Sequence, residues 1–76
     1  MLISKRIKLL LVVNNLTVTD LAQKCELFLG KKVYREQVSL HIHGHRYYPE
    51  LNQPIANELG VNIAQLIGKE KIEIIF

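Results

Sequence analysis

Cysteine, tryptophan and long apolar runs are what this 76-residue chain has least of. A single cysteine, Cys25, excludes an internal disulfide and any cysteine-based zinc site, and it reads as a small buried apolar residue. A chain held together without disulfides fits a reducing, cytoplasmic setting. The longest purely apolar run, Leu9 to Val13, is far short of the ~20 residues a membrane span needs. The opening "MLISKRIKLLLVV" places basic residues before apolar ones, as a signal peptide does. It has no small-residue cleavage site, however, and Asn14-Asn15 end it at once, so no secretion signal is expected. The adjacent pair Tyr47-Tyr48 is too little for a single-strand stacking platform and reads first as cover for the core.

No repeat, low-complexity tract or linker divides the chain, so residues 1–76 are expected to form one domain. A domain of this size buries only about 60–65% of its unfolded surface. An apolar content of 49% is high for it, so part of that surface is expected to meet another chain. The net charge of +3 is unevenly spread. Met1 to Tyr48 carry eight Lys/Arg against three Asp/Glu, or +5, and Pro49 to Phe76 carry two against four, or −2. A basic front and an acidic back suit a surface that orients a polyanion.

Five short helices are expected. Ser4 caps the first, which runs to about Asn14 with Ile3, Ile7, Leu10 and Leu11 on its apolar side. Asn14-Asn15 suit its end, because Asn tolerates the left-handed conformation. The second spans Val18 to Leu29. Thr17 and Asp20 form a T-x-x-D capping pair, Val18, Leu21, Ala22, Cys25, Phe28 and Leu29 make the apolar stripe, and Gly30 closes it. "KKVY" is a connector. The third helix covers Arg35 to His43, with Val38 and Ile42 inward and Gly44 at its end. Pro49 suits the first position of the fourth, with Leu51, Ile55, Ala56 and Leu59 inward; Pro54 makes it start late, near Gln53, or kink. Asn62 caps a fifth, Ile63 to Ile67. In "KIEIIF", residues 71–76, Ile72, Ile74 and Phe76 alternate with Lys71, Glu73 and Ile75, which reads as a short C-terminal β-strand. A lone strand needs a partner, either "MLIS" within the chain or the same strand of a second copy.

An all-α domain is the result, and the second and third helices, with a glycine between them and Val38-Ser39 early in the third, suggest a helix-turn-helix. Three stretches, "LTVTDLAQK", "VSLHIHGHR" and "IANELGVNIAQLIG", in that order, resemble the phage-repressor-type (Cro/XRE-like, lambda repressor-like) helix-turn-helix family over about Lys5 to Gly68. The most specific piece is I-A-x-x-L-G-V-x-x-x-x-L, from Ile55 to Leu66. The chain departs from the family in one place. Ala22 and Val38 are sixteen residues apart, more than the family's usual spacing, and the extra residues fall in "ELFLGKKVY". They are expected to add about one turn to the second helix and lengthen the connector.

The resemblance implies double-stranded DNA as the partner, with the third helix in the major groove, and a transcriptional regulator; a homodimer through Ile72, Ile74 and Phe76 is expected from their alternation and the high apolar content. The resemblance places the base readers early in the third helix, at Arg35, Glu36, Gln37 and Ser39. Helical spacing of about 100° per residue independently gathers Glu36, Ser39, Leu40 and His43 in one sector away from Val38 and Ile42. Arg35 borders that sector and Gln37 falls outside it. Arg35 can take a guanine through two bonds and Glu36 can accept from a cytosine amino group. Leu40 stands where the family often has Lys or Arg, and is expected to pack against the inserted Leu27-to-Val33 region. Thr17, Lys31, Lys32, Tyr34, His43, His45, Arg46 and Tyr47 are donors near helix ends and loops, suited to phosphate.

Two other readings are set against this one. Catalysis needs a nucleophile with a base, and only Ser39 and His43 have a usable spacing, with no third group; no enzyme activity and no cofactor are expected. A helix-turn-helix that binds protein instead of DNA is favoured by the insertion, Glu36 and Leu40, and opposed by the basic front with Arg35 and Arg46. The three histidines of "HIHGH" do not make a metal site on a helix, because His41 and His43 lie about 200° apart around the axis and His45 follows Gly44. His41 is expected to pack inward. His43 and His45 are left as donors that bind phosphate better when protonated.

Overall fold

Both ends of the second helix are fixed by local chemistry, and the rest of the fold is arranged around it. A computed structural model describes residues 6–72. In it α2 (Val18–Leu29) begins at Thr17, whose Oγ1 accepts from the Asp20 N–H at 3.1 Å while Asp20 Oδ2 accepts from the Thr17 N–H at 2.9 Å. The bond from the Thr17 N–H, helped by the Thr17 side chain, holds the Asp20 carboxyl below its ordinary value of 3.8. Gly30 ends α2 at φ 69°, a conformation that any side chain would strain.

α1 (Ile7–Val13) points Ile7, Leu10 and Leu11 into the core. Its end is made by Asn14, whose Nδ2 donates to the Leu10 carbonyl at 2.8 Å, and by Asn15 at φ 55°. The expected cap Ser4, with Ile3, lies outside the described residues. α3 (Arg35–Ile42) stops one residue short of the expected His43, which serves as its C-cap. After Tyr48, Pro49–Leu51 make a single 3₁₀ turn that leads into α4 (Asn52–Leu59). Pro54 is the third residue of α4, within the first turn, where a missing N–H leaves no helical bond unmade. Its ring is buried, and the tight turn before it is how the chain accommodates two prolines five residues apart. α5 (Ile63–Leu66) is one turn, started by a reciprocal pair between Asn62 and Gln65 at 2.7 and 3.0 Å. It ends one residue before the expected Ile67.

α2 packs against both α3 and α4, and α4 against α5. One core results, built from Ile7, Leu10 and Leu11 of α1, Leu21, Ala22 and Cys25 of α2, Val38 and Ile42 of α3, and Ile55, Ala56 and Leu59 of α4. Burial pushes the Cys25 thiol up to about 11, which makes it an inert core residue. Among the described residues the chain is all-α, and none of its helices is long and apolar enough to cross a membrane.

Three expectations are corrected here. Phe28 is 54% exposed instead of completing the α2 stripe. It lies about 80° from the stripe's centre and on the last turn, where the neighbouring helices no longer cover it. Leu40, expected to pack on the inserted region, is 36% exposed, because it lies about 150° around α3 from the buried side. Of the C-terminal strand, Lys71 and Ile72 are not in strand conformation, and Ile72 is 2% exposed, packed into its own chain's core. The remaining residues of that strand, with the candidate dimer contacts Ile74 and Phe76, lie outside the described residues.

Candidate nucleic-acid interface

α3 divides cleanly into two sides. Val38, His41 and Ile42 are buried, while Arg35, Glu36, Leu40 and the capping residue His43 are exposed and Ser39 is half-buried between them. The outward side is therefore the sector that helical spacing assigned. Arg35 and Glu36 stand at its start with free access to solvent. Gln37 is half-buried and has other work: its Oε1 accepts from the Tyr34 N–H at 2.9 Å, closing the first turn of α3. Tyr34 makes no cap bond in return, since its hydroxyl is at the far end of the ring.

At the other end of α3, His43 Nδ1 lies 2.7 Å from the Ser39 carbonyl and 3.4 Å from Ser39 Oγ. A carbonyl only accepts, so Nδ1 carries the proton and donates. With its proton directed to the Ser39 carbonyl, Nδ1 does not accept from the Ser39 hydroxyl in this arrangement. Nε2 is the atom left for a partner, an acceptor in the neutral ring and a donor once the ring is protonated. The His43 and His45 rings stack, 6.3 Å apart and 17° from parallel, so the two exposed histidines share one patch. Beyond them the Arg46 guanidinium lies 5.4 Å from the centre of the Tyr48 ring. Tyr47 is 45% exposed; its oxygen accepts from Asn52 Nδ2 at 2.7 Å and keeps its own proton to donate outward.

Gly44, at φ 75°, turns the chain out of α3 and lets both the His45 and Arg46 N–H groups reach the Leu40 carbonyl, at 2.9 and 3.2 Å. Those bonds fix where the patch begins. His41, two positions before His43, is wholly buried and hydrogen-bonded at both ring nitrogens. Among the described residues no group of three or more His, Cys, Asp or Glu side chains converges as a metal site would require.

A second group gathers at the N-terminal end of α3. Lys32, Tyr34, Arg35 and Glu36 line a cleft of about 420 Å³ with Thr19, Gln23 and Glu26 of α2. Lys32 Nζ sits 3.5 Å from Glu26 Oε1 and 5.6 Å from the centre of the Tyr34 ring, and Tyr34 itself is 57% exposed. An exposed ion pair of this kind is weak. Lys31 is exposed. Thr17 is less suited than expected. Its N–H is taken by Asp20, whose carboxylate lies where a phosphate would have to approach.

Sequence reading missed two residues that hold this surface in place. Glu26 Oε1 accepts from the Val33 N–H at 3.0 Å, which keeps its carboxyl below the ordinary 4.5 and fastens the connector to α2. Asn52 is buried and joins His41 to Tyr47. Their bonds span five to eleven positions, and no local pattern announces them. A short-range signal did exist for Gln37, three residues after the extended Tyr34.

The expected site residues thus form two groups, one at each end of a helix about 12 Å long. Arg35 and Glu36 stand with the connector, and His43, His45, Arg46 and Tyr47 with the loop after α3. No protein-family model matches this chain, and no curated protein or solved structure does.

Proposed function

We propose that this protein is a small helix-turn-helix domain of the phage-repressor type that binds duplex DNA, with the outward side of α3 in the major groove, and regulates transcription as a homodimer. Arg35, Glu36 and Ser39 read base edges. Lys31, Lys32 and Tyr34 before α3, and His43, His45, Arg46 and Tyr47 after it, hold the flanking phosphates. Gln37 orients the helix instead of reading. The observation that carries this reading is the outward side of α3, where Arg35, Glu36, Leu40 and His43 are exposed, bracketed at both ends by cations and hydrogen-bond donors. Major grooves admit a helix, and phosphates flank it on both sides. Glu36 repels phosphate, so it sits over bases with Arg35 beside it.

A competing reading, a helix-turn-helix that binds another protein, is favoured by exposed Leu27 (80%), Phe28 (54%) and Leu40 (36%) around the same helices. A gel-shift series on a randomised duplex library, repeated at rising salt, separates the two. Retention of selected duplexes that weakens steeply with salt supports DNA binding. No retained duplex at low salt rejects it.

A further inference from the structure

His41 is a titratable side chain sealed inside the molecule, and its bonds point one way. It is 0% exposed. Its Nδ1 lies 3.0 Å from the Tyr48 N–H, and a backbone N–H only donates, so Nδ1 is bare. The neutral ring then carries its proton on Nε2, which donates to Asn52 Oδ1 at 2.8 Å. That fixes the Asn52 amide, whose Nδ2 donates to the Tyr47 oxygen at 2.7 Å. The Tyr47 ring stacks on the imidazole at 5.3 Å and the Tyr48 ring meets it edge-on at 6.4 Å. One imidazole thereby ties α3, α4 and both tyrosines of the intervening loop together, with no buried polar atom left over among the described residues.

We infer that His41 is a positioning residue whose neutral ring latches the 44–48 loop to α4, and whose protonation releases that loop. A proton on Nδ1 would face the Tyr48 N–H, donor against donor. The bond is then lost, and the N–H must leave the interior to find water. The groups around the ring decide how readily this happens. Glu50, from the 3₁₀ turn, and the bond to Asn52 favour the charged ring, whereas burial opposes it and outweighs both. Arg46, over the far side of Tyr48, adds positive charge next to the loop. Tyr47, Tyr48 and Asn52 complete the surroundings from the loop and α4.

The consequence for binding rests on the DNA reading above. The loop carries His45, Arg46 and Tyr47, so acid that charges His41 scatters the phosphate donors while acid that charges His43 and His45 strengthens them. Affinity should then rise and fall again as pH is lowered, with the falling limb belonging to His41 alone.

The test begins on the full chain without DNA. Nitrogen NMR of the imidazoles and amide exchange are followed from about pH 8 to 4.5. Expected are the Nε2–H tautomer at His41 and a Tyr48 protection factor that falls about tenfold at the midpoint of the His41 titration, before the α2 core amides change. In His41→Asn, which keeps an acceptor near the Nδ1 position, Tyr48 protection should be flat with pH. An Nδ1–H tautomer, or Tyr48 protection unchanged through the His41 titration, overturns the latch, as does loss of all amides together. Gel shifts on selected duplex then follow in a His43→Ala/His45→Ala background. Affinity there should fall about fivefold across the same titration and stay level when His41→Asn is added. If Tyr48 behaves as expected but no duplex is shifted at any pH, the latch stands and the DNA reading fails.

Discussion

His41 and His43 are two positions apart, carry the same side chain and face opposite conditions. The angle between them around α3 was readable in the sequence, and it placed one inward and the other outward. What each ring bonds to was not, because the partners of His41 come from Tyr48 and Asn52, seven and eleven positions on. That difference controls how acid acts on the molecule. Burial holds the folded His41 below its ordinary 6.5, so between the folded value and 6.5 the unfolded chain binds more protons than the folded one. Stability should therefore be full above pH 6.5 and decline as pH falls through that window, well before Asp20 and Glu26, with ordinary values of 3.8 and 4.5, can contribute. Urea titrations at stepped pH check this, and a midpoint level from pH 7 to 5 would refute it. His43 should show the opposite sign in binding. Its Nε2 donates only when the ring is charged, so DNA affinity should be higher in acid, and His43→Ala should blunt that gain. Equal pH profiles for the two proteins would sink the idea.

Elements were legible where both of their ends are signalled locally. α2 was read to the residue, since T-x-x-D and a following glycine are short-range devices, and the same holds for the start of α5 at Asn62. The span of α4 depended on how two nearby prolines share a turn, which the tertiary setting of Tyr48 and Leu51 decides. The connector between α2 and α3 is the least legible part, because its anchor is one long-range bond from Val33 to Glu26. That anchor sets where α3 begins relative to α2, and it is the place where the chain departs from the spacing of the family it resembles. Glu26→Ala should raise exchange at the Val33 amide and weaken duplex binding about three- to tenfold while the α2 and α4 amides stay protected. Glu26→Gln keeps an acceptor and should recover most of the loss. Global unfolding in Glu26→Ala, or binding equal to wild type, would count against a role in setting α3. The cleft residues Thr19 and Gln23 escaped sequence reading for the same reason, since they become neighbours of Arg35 and Glu36 only once α3 is docked.

Taken as one body, the molecule has cations around α3 and excess acid beyond Pro49, so a polyanion meets it in one orientation. If Lys31, Lys32 and Arg46 each neutralise a phosphate, the logarithm of affinity should fall with the logarithm of salt at a slope of about −2.7 per protomer. Arg46→Ala should flatten it by about 0.9. A slope near zero would favour the protein-binding reading. Self-association is a separate question, and Ile72 decides how to ask it. The alternation of Ile72, Ile74 and Phe76 suggested an edge strand shared between copies, yet Ile72 is 2% exposed within its own chain. A side chain already packed against its own core has no surface left to give a partner. Ile72→Ala should then cost about 2–5 kcal/mol of stability as a cavity in the monomer. The loss should be the same at every protein concentration. Were Ile72 instead a dimer contact, the loss would appear only at concentrations where the wild type is dimeric. Denaturation of both proteins across a hundredfold range of concentration, with sedimentation to fix the oligomeric state, distinguishes the two. A concentration-dependent loss would return Ile72 to the interface and leave the core without it.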